Sequence, residues 1–190
     1  REHKAIKTIR IKKGPITSVE FNQSANGFFT AGLDNTIKYW DLRNIRKPQY
    51  IMTGHLDSIT GIRLNPDGNT LVSTSMDNTV RVWDVSIKGK LNDQNDNILS
   101  TRMTSIFEGA PHGMEKNLIK PCWSPDGDFI ACGSSDRTVM IWDYLSEKPV
   151  YKLPGHKGSV NQVDWIGNVL ASCSNDGTIL LGEIDLDDVR

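Results

Sequence analysis

Cysteine is scarce and odd in number. Cys122, Cys132 and Cys173 are the three that 190 residues contain, which excludes a disulfide-stapled framework and favours a reducing, intracellular compartment. They form no C-x-x-C pair, and no H-E-x-x-H occurs, so neither zinc nor any other metal is expected. No Gly-rich phosphate loop is present. No apolar run approaches the length of a membrane span and no signal-peptide pattern opens the chain, so a soluble protein is expected. A helical 3.6-residue period is missing over any useful length. Excess charge of one sign is missing too. The formal net charge is −1, which leaves no global field to draw in nucleic acid or an anionic membrane. The first residue is not Met, and further sequence is expected upstream.

What is present repeats. With 37% hydrophobic and 24% charged residues the chain has a globular balance. Trp40, Trp83 and Trp142 close three similar segments, "DNTIKYW", "DNTVRVW" and "DRTVMIW", and a fourth, "DGTILLG", ends at Gly182. Six residues before each stands an aspartate: Asp34, Asp77, Asp136 and Asp176. Each unit reads as short β-branched strands broken by turn residues, as in "DSITGIRL", then "NPDG" (Asn65–Gly68), then "NTLVSTS" and "TVRVW". A further strand follows in "PQYIM" and "PVYKL". Such a small sheet cannot bury both faces alone, and radial stacking of sheets solves that. The interval of 59 residues before Trp142, against 43 and 40 elsewhere, calls for an insertion between third and fourth strands. The polar stretch "SIKGKLNDQNDNILS" (Ser86–Ser100) supplies it as a loop, either a tolerated surface loop or one that binds a partner.

Self-similarity of this kind resembles the WD40 repeat family. That resemblance implies an all-β propeller, with four blades of four-stranded antiparallel sheet in this chain as part of a seven-bladed ring. The blades are expected at 14–53, 54–108 with the inserted loop 86–100, 109–153 and 154–190. Residues 1–13 are expected to be the outer strand of a preceding blade and a linker. The family also implies a buried hydrogen-bonded chain from Trp through Ser and His to Asp. Its expected members are His55, Ser73, Asp77 and Trp83; His112, Asp136 and Trp142; and His156, Ser172 and Asp176. A Ser, His and Asp together invite a catalytic reading, but a nucleophile must be exposed beside an oxyanion hole, and these positions recur inside every sheet. No enzyme activity is expected. The first unit has Lys13-Gly14 where Gly-His belongs, the third has Cys132 in place of Ser, and the fourth lacks Trp. Trp123 and Trp165 are expected as core fillers.

The residue before each turn aspartate, Leu33, Met76, Ser135 and Asn175, is expected on the upper face as a candidate partner surface. The basic run Lys4, Lys7, Arg10, Lys12 and Lys13 alternates with apolar residues, which fits a half-buried strand with a solvated face ahead of a phosphate contact. Longer phrases, "GHLDSITGIRL", "SMDNTVRVWDV", "EKNLIKPCWSPDG", "YKLPGHKGSVNQV" and the final "GEI", resemble the spliceosomal members of the family, those of the U5 particle. That closer resemblance implies a nuclear scaffold for pre-mRNA splicing, made of the C-terminal four repeats, seated among large spliceosomal U5 proteins in an RNA–protein complex. It implies minor direct RNA contact, no cofactor, no small-molecule substrate, no membrane and no homo-oligomer. "WDLR", with Trp40, Asp41 and Arg43, also resembles the box by which WD40 substrate receptors dock on cullin-RING ubiquitin-ligase adaptors, the alternative reading. For "ILLGEIDL" two closures are open. The last blade borrows its fourth strand from a far N-terminal segment, the preferred solution, or Lys4–Arg10 closes a four-blade ring.

Overall fold

The computed structural model describes residues 7–11, 14–86, 99–100 and 102–185. Among them every regular element is a strand. The first sheet runs β1 (Ile16–Phe21), β2 (Gly27–Gly32), β3 (Thr36–Asp41) and β4 (Tyr50–Thr53). The second runs β5 (Ile59–Leu64), β6 (Thr70–Ser75), β7 (Val80–Asp84) and β9 (Met103–Phe107). The third holds β10 (Pro121–Trp123), β11 (Phe129–Gly133), β12 (Val139–Asp143) and β13 (Pro149–Leu153). The fourth holds three strands, β14 (Val160–Ile166), β15 (Val169–Ser174) and β16 (Ile179–Glu183). Consecutive strands within each sheet pair antiparallel.

Turn chemistry sets the hairpins. Between β5 and β6 the Gly68 amide donates to Asn65 O at 2.8 Å, and Gly68 takes φ 72°. Between second and third strands the residue after each turn aspartate is left-handed: Asn35 at 62°, Asn78 at 65°, Arg137 at 72° and Gly177 at 77°. Asn and Gly adopt that region readily, whereas Arg does so at a cost.

The core lies in the seams between sheets. One cluster joins Phe29, Ile37 and Met52 of the first sheet to Ile59, Leu71 and Trp83 of the second. A second joins Val72, Val82 and Phe107 to Trp123, Ile130 and Trp142. A third joins Phe129, Ala131 and Ile141 to Val160, Val163 and Leu170. Each fully buried aliphatic side chain contributes roughly 1.5–3 kcal/mol. Inner strands approach closely enough to demand glycine. A Cβ at Gly61 would lie 2.9 Å from Lys120 Cα, and one at Gly133 would lie 2.3 Å from Val160 O. Trp123 and Trp165 are buried near the ends of β10 and β14.

The two end sheets each leave an apolar face uncovered among the described residues. Val19 and Phe21 are 58% and 60% exposed on β1, and Ile179 and Leu181 are 72% and 73% exposed on β16. Among the described residues no strand of the first sheet pairs with one of the fourth. Residues 7–11 form no strand; Ile9 and Ile11 are half-buried, Lys7 and Arg10 exposed. Lys4, Lys12 and Lys13 lie outside the described residues, as does 87–98 of the expected insertion. The end of that insertion departs from a plain loop, because β8 (Leu99–Ser100) pairs parallel with Ile51 and Met52 of β4. Arg102 then stacks on the Tyr50 ring at 4.5 Å before β9 begins.

Replacing Arg137 by Asn relieves the left-handed cost at that turn. Thermal unfolding of the variant is expected to show a gain of up to about 1 kcal/mol; a loss would mean that the Arg side chain outweighs its backbone.

Candidate functional site

All four turn aspartates do the same local work. In each D-x-T segment one carboxylate oxygen accepts the Thr amide and the Thr hydroxyl. The amide distances are 3.3, 3.0, 3.3 and 2.9 Å at Thr36, Thr79, Thr138 and Thr178. The hydroxyl distances are 2.9, 2.6, 2.5 and 2.6 Å. What differs between sheets is the group that faces the second oxygen.

The second sheet assembles the whole expected chain. Trp83 Nε1 donates to Ser73 Oγ at 2.8 Å, Ser73 donates to His55 Nε2 at 2.7 Å, and His55 Nδ1 donates to Asp77 Oδ2 at 2.9 Å. The tautomer follows from the network, since the indole can only donate and the carboxylate can only accept. The Leu56 amide adds a fourth donor to Asp77 at 3.0 Å, and the Arg81 guanidinium stands 3.6 Å away. Burial pushes Asp77 up, yet the hydrogen bonds from His55, Thr79 and Leu56 outweigh it and hold the carboxyl well below its usual range. Burial lowers the His55 pKa against the pull of Asp77. Ser73 is fully buried with its hydroxyl committed to this chain. It offers no nucleophile to solvent. The fourth sheet repeats the arrangement without the indole: His156 Nε2 meets Ser172 Oγ at 2.9 Å, and His156 Nδ1 meets Asp176 Oδ2 at 3.3 Å.

The third sheet does not. His112 was expected with Asp136 and Trp142, and the structure separates all three. His112 Nε2 donates to Thr60 Oγ1 of the second sheet at 3.0 Å, while Thr60 donates to Ile119 O at 2.8 Å. Trp142 Nε1 donates to Glu108 O at 3.1 Å. Asp136 instead meets Lys152 Nζ at 2.7 Å. The reason is local. "EGAPHGMEKNLI" is longer than the plain Gly-His joint and carries His112 to the neighbouring sheet, and Cys132 offers only a weak donor where Ser73 stands in the second sheet.

Three cations were missed in the sequence: Lys38, Arg81 and Lys152. In the first sheet, which lacks the histidine, Lys38 Nζ pairs directly with Asp34 and reaches Thr36 Oγ1 at 2.6 Å. Lys38 and Arg81 occupy the same place, two residues after the Thr, so the D-N-T-x-[KR] spacing carried the signal. The third sheet has Met140 there, and its cross-strand neighbour is Lys152. The charge has moved across the ladder, which only the register reveals.

The candidate partner residues occupy equivalent places. The amides of Leu33, Met76, Ser135 and Asn175 donate to Pro15 O, Ser58 O, Pro111 O and Ser159 O at 3.1, 2.9, 2.8 and 3.0 Å, each in the segment leading to its own sheet's first strand. Leu33 and Asn175 are exposed; Met76 and Ser135 are half-buried. Leu56 and Met114, in those same leading segments, are exposed apolar residues that the sequence reading did not single out. In the candidate adaptor box Trp40 is buried and donates to Thr30 Oγ1 at 2.9 Å, and Arg43 closes on Asp41 through two bonds of 3.0 and 2.7 Å. Burial pushes the Cys122 thiol up to about 12, so it stays protonated.

Asp77→Ala leaves His55 and Ser73 without their terminal acceptor and is expected to cost roughly 1–3 kcal/mol in chemical denaturation; an unchanged midpoint would contradict the network. Burial also lowers the His112 pKa to about 4. Its neutral form is favoured in the folded state, so its contribution is complete above an unfolded pKa of about 6.5 and lost as pH falls through 4. The loss is on the order of 3 kcal/mol when complete. His112→Gln keeps an N–H for Thr60 and cannot titrate. Stability measured from pH 7 to pH 4 is expected to fall less steeply in that variant.

Comparison with known proteins agrees with this geometry. Residues 4–41, 46–84, 119–143 and 147–181 match the family described as WD domain, G-beta repeat. The chain is 52% identical over 174 residues to the U5 small nuclear ribonucleoprotein 40 kDa protein of Dictyostelium discoideum, covering 90% of this chain and 46% of that one. It is 46% identical over 187 residues to the pre-mRNA-splicing factor cwf17 of Schizosaccharomyces pombe, covering 97% and 52%. With the human U5 40 kDa protein it shares 47% identity over 85 residues, covering 44% and 24%. The chain thus spans about half the length of the first two relatives. Four repeats matched in sequence and four sheets built to one plan carry one conclusion: this chain belongs to the WD40 family.

Proposed function

We propose that this chain is a non-enzymatic WD40 scaffold that mediates protein–protein contacts in the U5 particle and so supports pre-mRNA splicing in the nucleus. The observation that carries this reading is the 52% identity to a U5 small nuclear ribonucleoprotein protein across 90% of the chain. The burial of Ser73 in the His55–Asp77 chain supports a structural rather than a catalytic role for those residues. A net charge of −1 supports protein partners, with RNA contact minor.

The uncovered apolar faces of β1 and β16 support further blades, in keeping with a seven-bladed ring in the whole protein. Partners are the large proteins of the same particle. They meet the face that carries Leu33 and Met76, where Leu56 and Met114 add exposed apolar surface. The closed Asp41–Arg43 pair is a satisfied turn and adds nothing to the ubiquitin-ligase alternative.

Affinity purification of the full-length protein, read by mass spectrometry and RNA sequencing, is expected to return spliceosomal proteins and U5 RNA. Recovery of a cullin-RING adaptor in their place would overturn the reading. The double change Leu33→Glu and Met76→Glu is expected to reduce co-purification of the protein partners at least about tenfold while leaving the melting temperature unchanged. Undiminished recovery would remove this face from the interaction.

A further inference from the structure

The segment 109–119, which leads into the third sheet, is tied to three sheets at once. At its start the Ser135 amide and the Ser134 hydroxyl of the third sheet donate to Pro111 O at 2.8 and 3.2 Å. The His112 amide donates to Asn78 Oδ1 of the second sheet at 2.8 Å, and the His112 ring reaches Thr60. Three residues later the fourth sheet takes hold. Ser159 Oγ donates to Glu115 Oε2 at 2.7 Å, and Asn175 Nδ2 donates to Asn117 Oδ1 at 3.2 Å. Thr74 Oγ1 closes the far end on Ile119 O at 2.8 Å. Between these ties the backbone is sharply bent, with Gly113 at φ 63° and Lys116 at φ 50°. A Cβ at Gly113 would lie 2.9 Å from Ser135 Cβ and Oγ, so packing fixes the bend as well as torsion. A lysine in the left-handed region is strained, and the flanking hydrogen bonds hold it there. At the top of the bend Met114 is 99% exposed.

The charges around it are uneven. Lys116 and Lys120 on this segment, and Lys157 two residues before Ser159, are exposed and enter no ion pair among the described residues. Arg137, two residues after Ser135, lies within electrostatic reach of Glu115. The carboxylates of the same loops are committed. Glu115 accepts from Ser159 and Asn117, and Asp57 accepts the Ser58 amide at 2.6 Å. Asp136 pairs with Lys152, and Asp176 accepts the Lys157 amide and the Thr178 hydroxyl. The charges left over beside Met114 are cations. The segment holds no aromatic ring on which a base would stack, so a protein occupant is favoured over RNA.

We propose that residues 113–116 form a preformed knob that inserts Met114 into an apolar pocket of a partner protein, whose rim carries Asp or Glu side chains for Lys116 and the neighbouring cations. This rests on the reading that the face carrying Leu33 and Met76 meets proteins. The unbranched thioether adapts to the shape of a pocket. The fixed backbone removes the ordering cost that a free loop would meet on binding. The cations steer the approach and set its orientation.

The test places a benzophenone side chain at position 114 of the full-length protein, photo-crosslinks it in cell extract and identifies the captured peptide by mass spectrometry. The expected capture is a peptide of a spliceosomal protein with apolar residues at the crosslink and Asp or Glu beside them. Capture of RNA, of another part of this polypeptide, or of a peptide without acidic residues would overturn the proposal. Met114→Glu is expected to lower recovery of that partner at least about tenfold, and Met114→Leu to retain it. Both should leave the melting temperature unchanged, because the side chain packs against nothing in the fold. Lys116→Asn keeps a residue that tolerates the left-handed bend and removes the charge. It is expected to lower recovery about threefold and to flatten its dependence on salt; an unchanged salt dependence would remove the acidic rim. Full recovery with Met114→Glu, while Leu33→Glu with Met76→Glu strips the partner, would overturn the knob alone. Failure of the unaltered protein to recover any spliceosomal protein would overturn the reading beneath it as well.

Discussion

A sheet of strands five or six residues long has two faces to hide and only neighbouring sheets to hide them against. Everything else in this chain follows from that constraint. Apolar residues lie on both faces of the middle strands, so β6, β11 and β12 read as near-continuous buried runs rather than as alternations. Glycines stand where inner strands crowd, at Gly61 and Gly133, because the seam leaves no space for a Cβ. Trp83 and Trp142 are wedges in the same seams, and their N–H groups find acceptors there in Ser73 Oγ and Glu108 O.

The turn aspartates are the electrostatic side of that constraint. Packing sheets together pulls their turns partly out of water, and a carboxylate in that position needs donors to remain charged. Each sheet meets the need differently: Lys38 from the same strand, His55 with Arg81, Lys152 from across the ladder, and His156. The requirement is common to the repeats while the residues that satisfy it are not. A catalytic triad would show the opposite pattern, with one set of residues kept and exposed in one place.

Spacing in the sequence carried the fold, because turn aspartate, Thr and closing Trp are local and recur in register. The second and fourth sheets' hydrogen-bonded chains were expected from the family resemblance and not from spacing, since His55 and Asp77 lie 22 residues apart. Contacts that run between sheets were hidden. His112 turns to Thr60, 52 residues away, and nothing near His112 announces it. Lys152 substitutes for a cation at Met140 only once the two strands are aligned. The missing Trp at Gly182 was visible in the sequence, but the groove that Val139 and Leu153 of the third sheet line beside it was not.

The short parallel pairing of β8 with β4 has a consequence for how the chain comes apart. The segment leaves the second sheet at the end of β7, touches the rim of the first sheet at Ile51 and Met52, and returns to β9 past the Tyr50–Arg102 contact. The fourth strand of the second sheet cannot detach without loosening the outer edge of the first. Two neighbouring blades are thereby joined at the perimeter as well as at the seam, and they form a larger unit of local opening than either would alone.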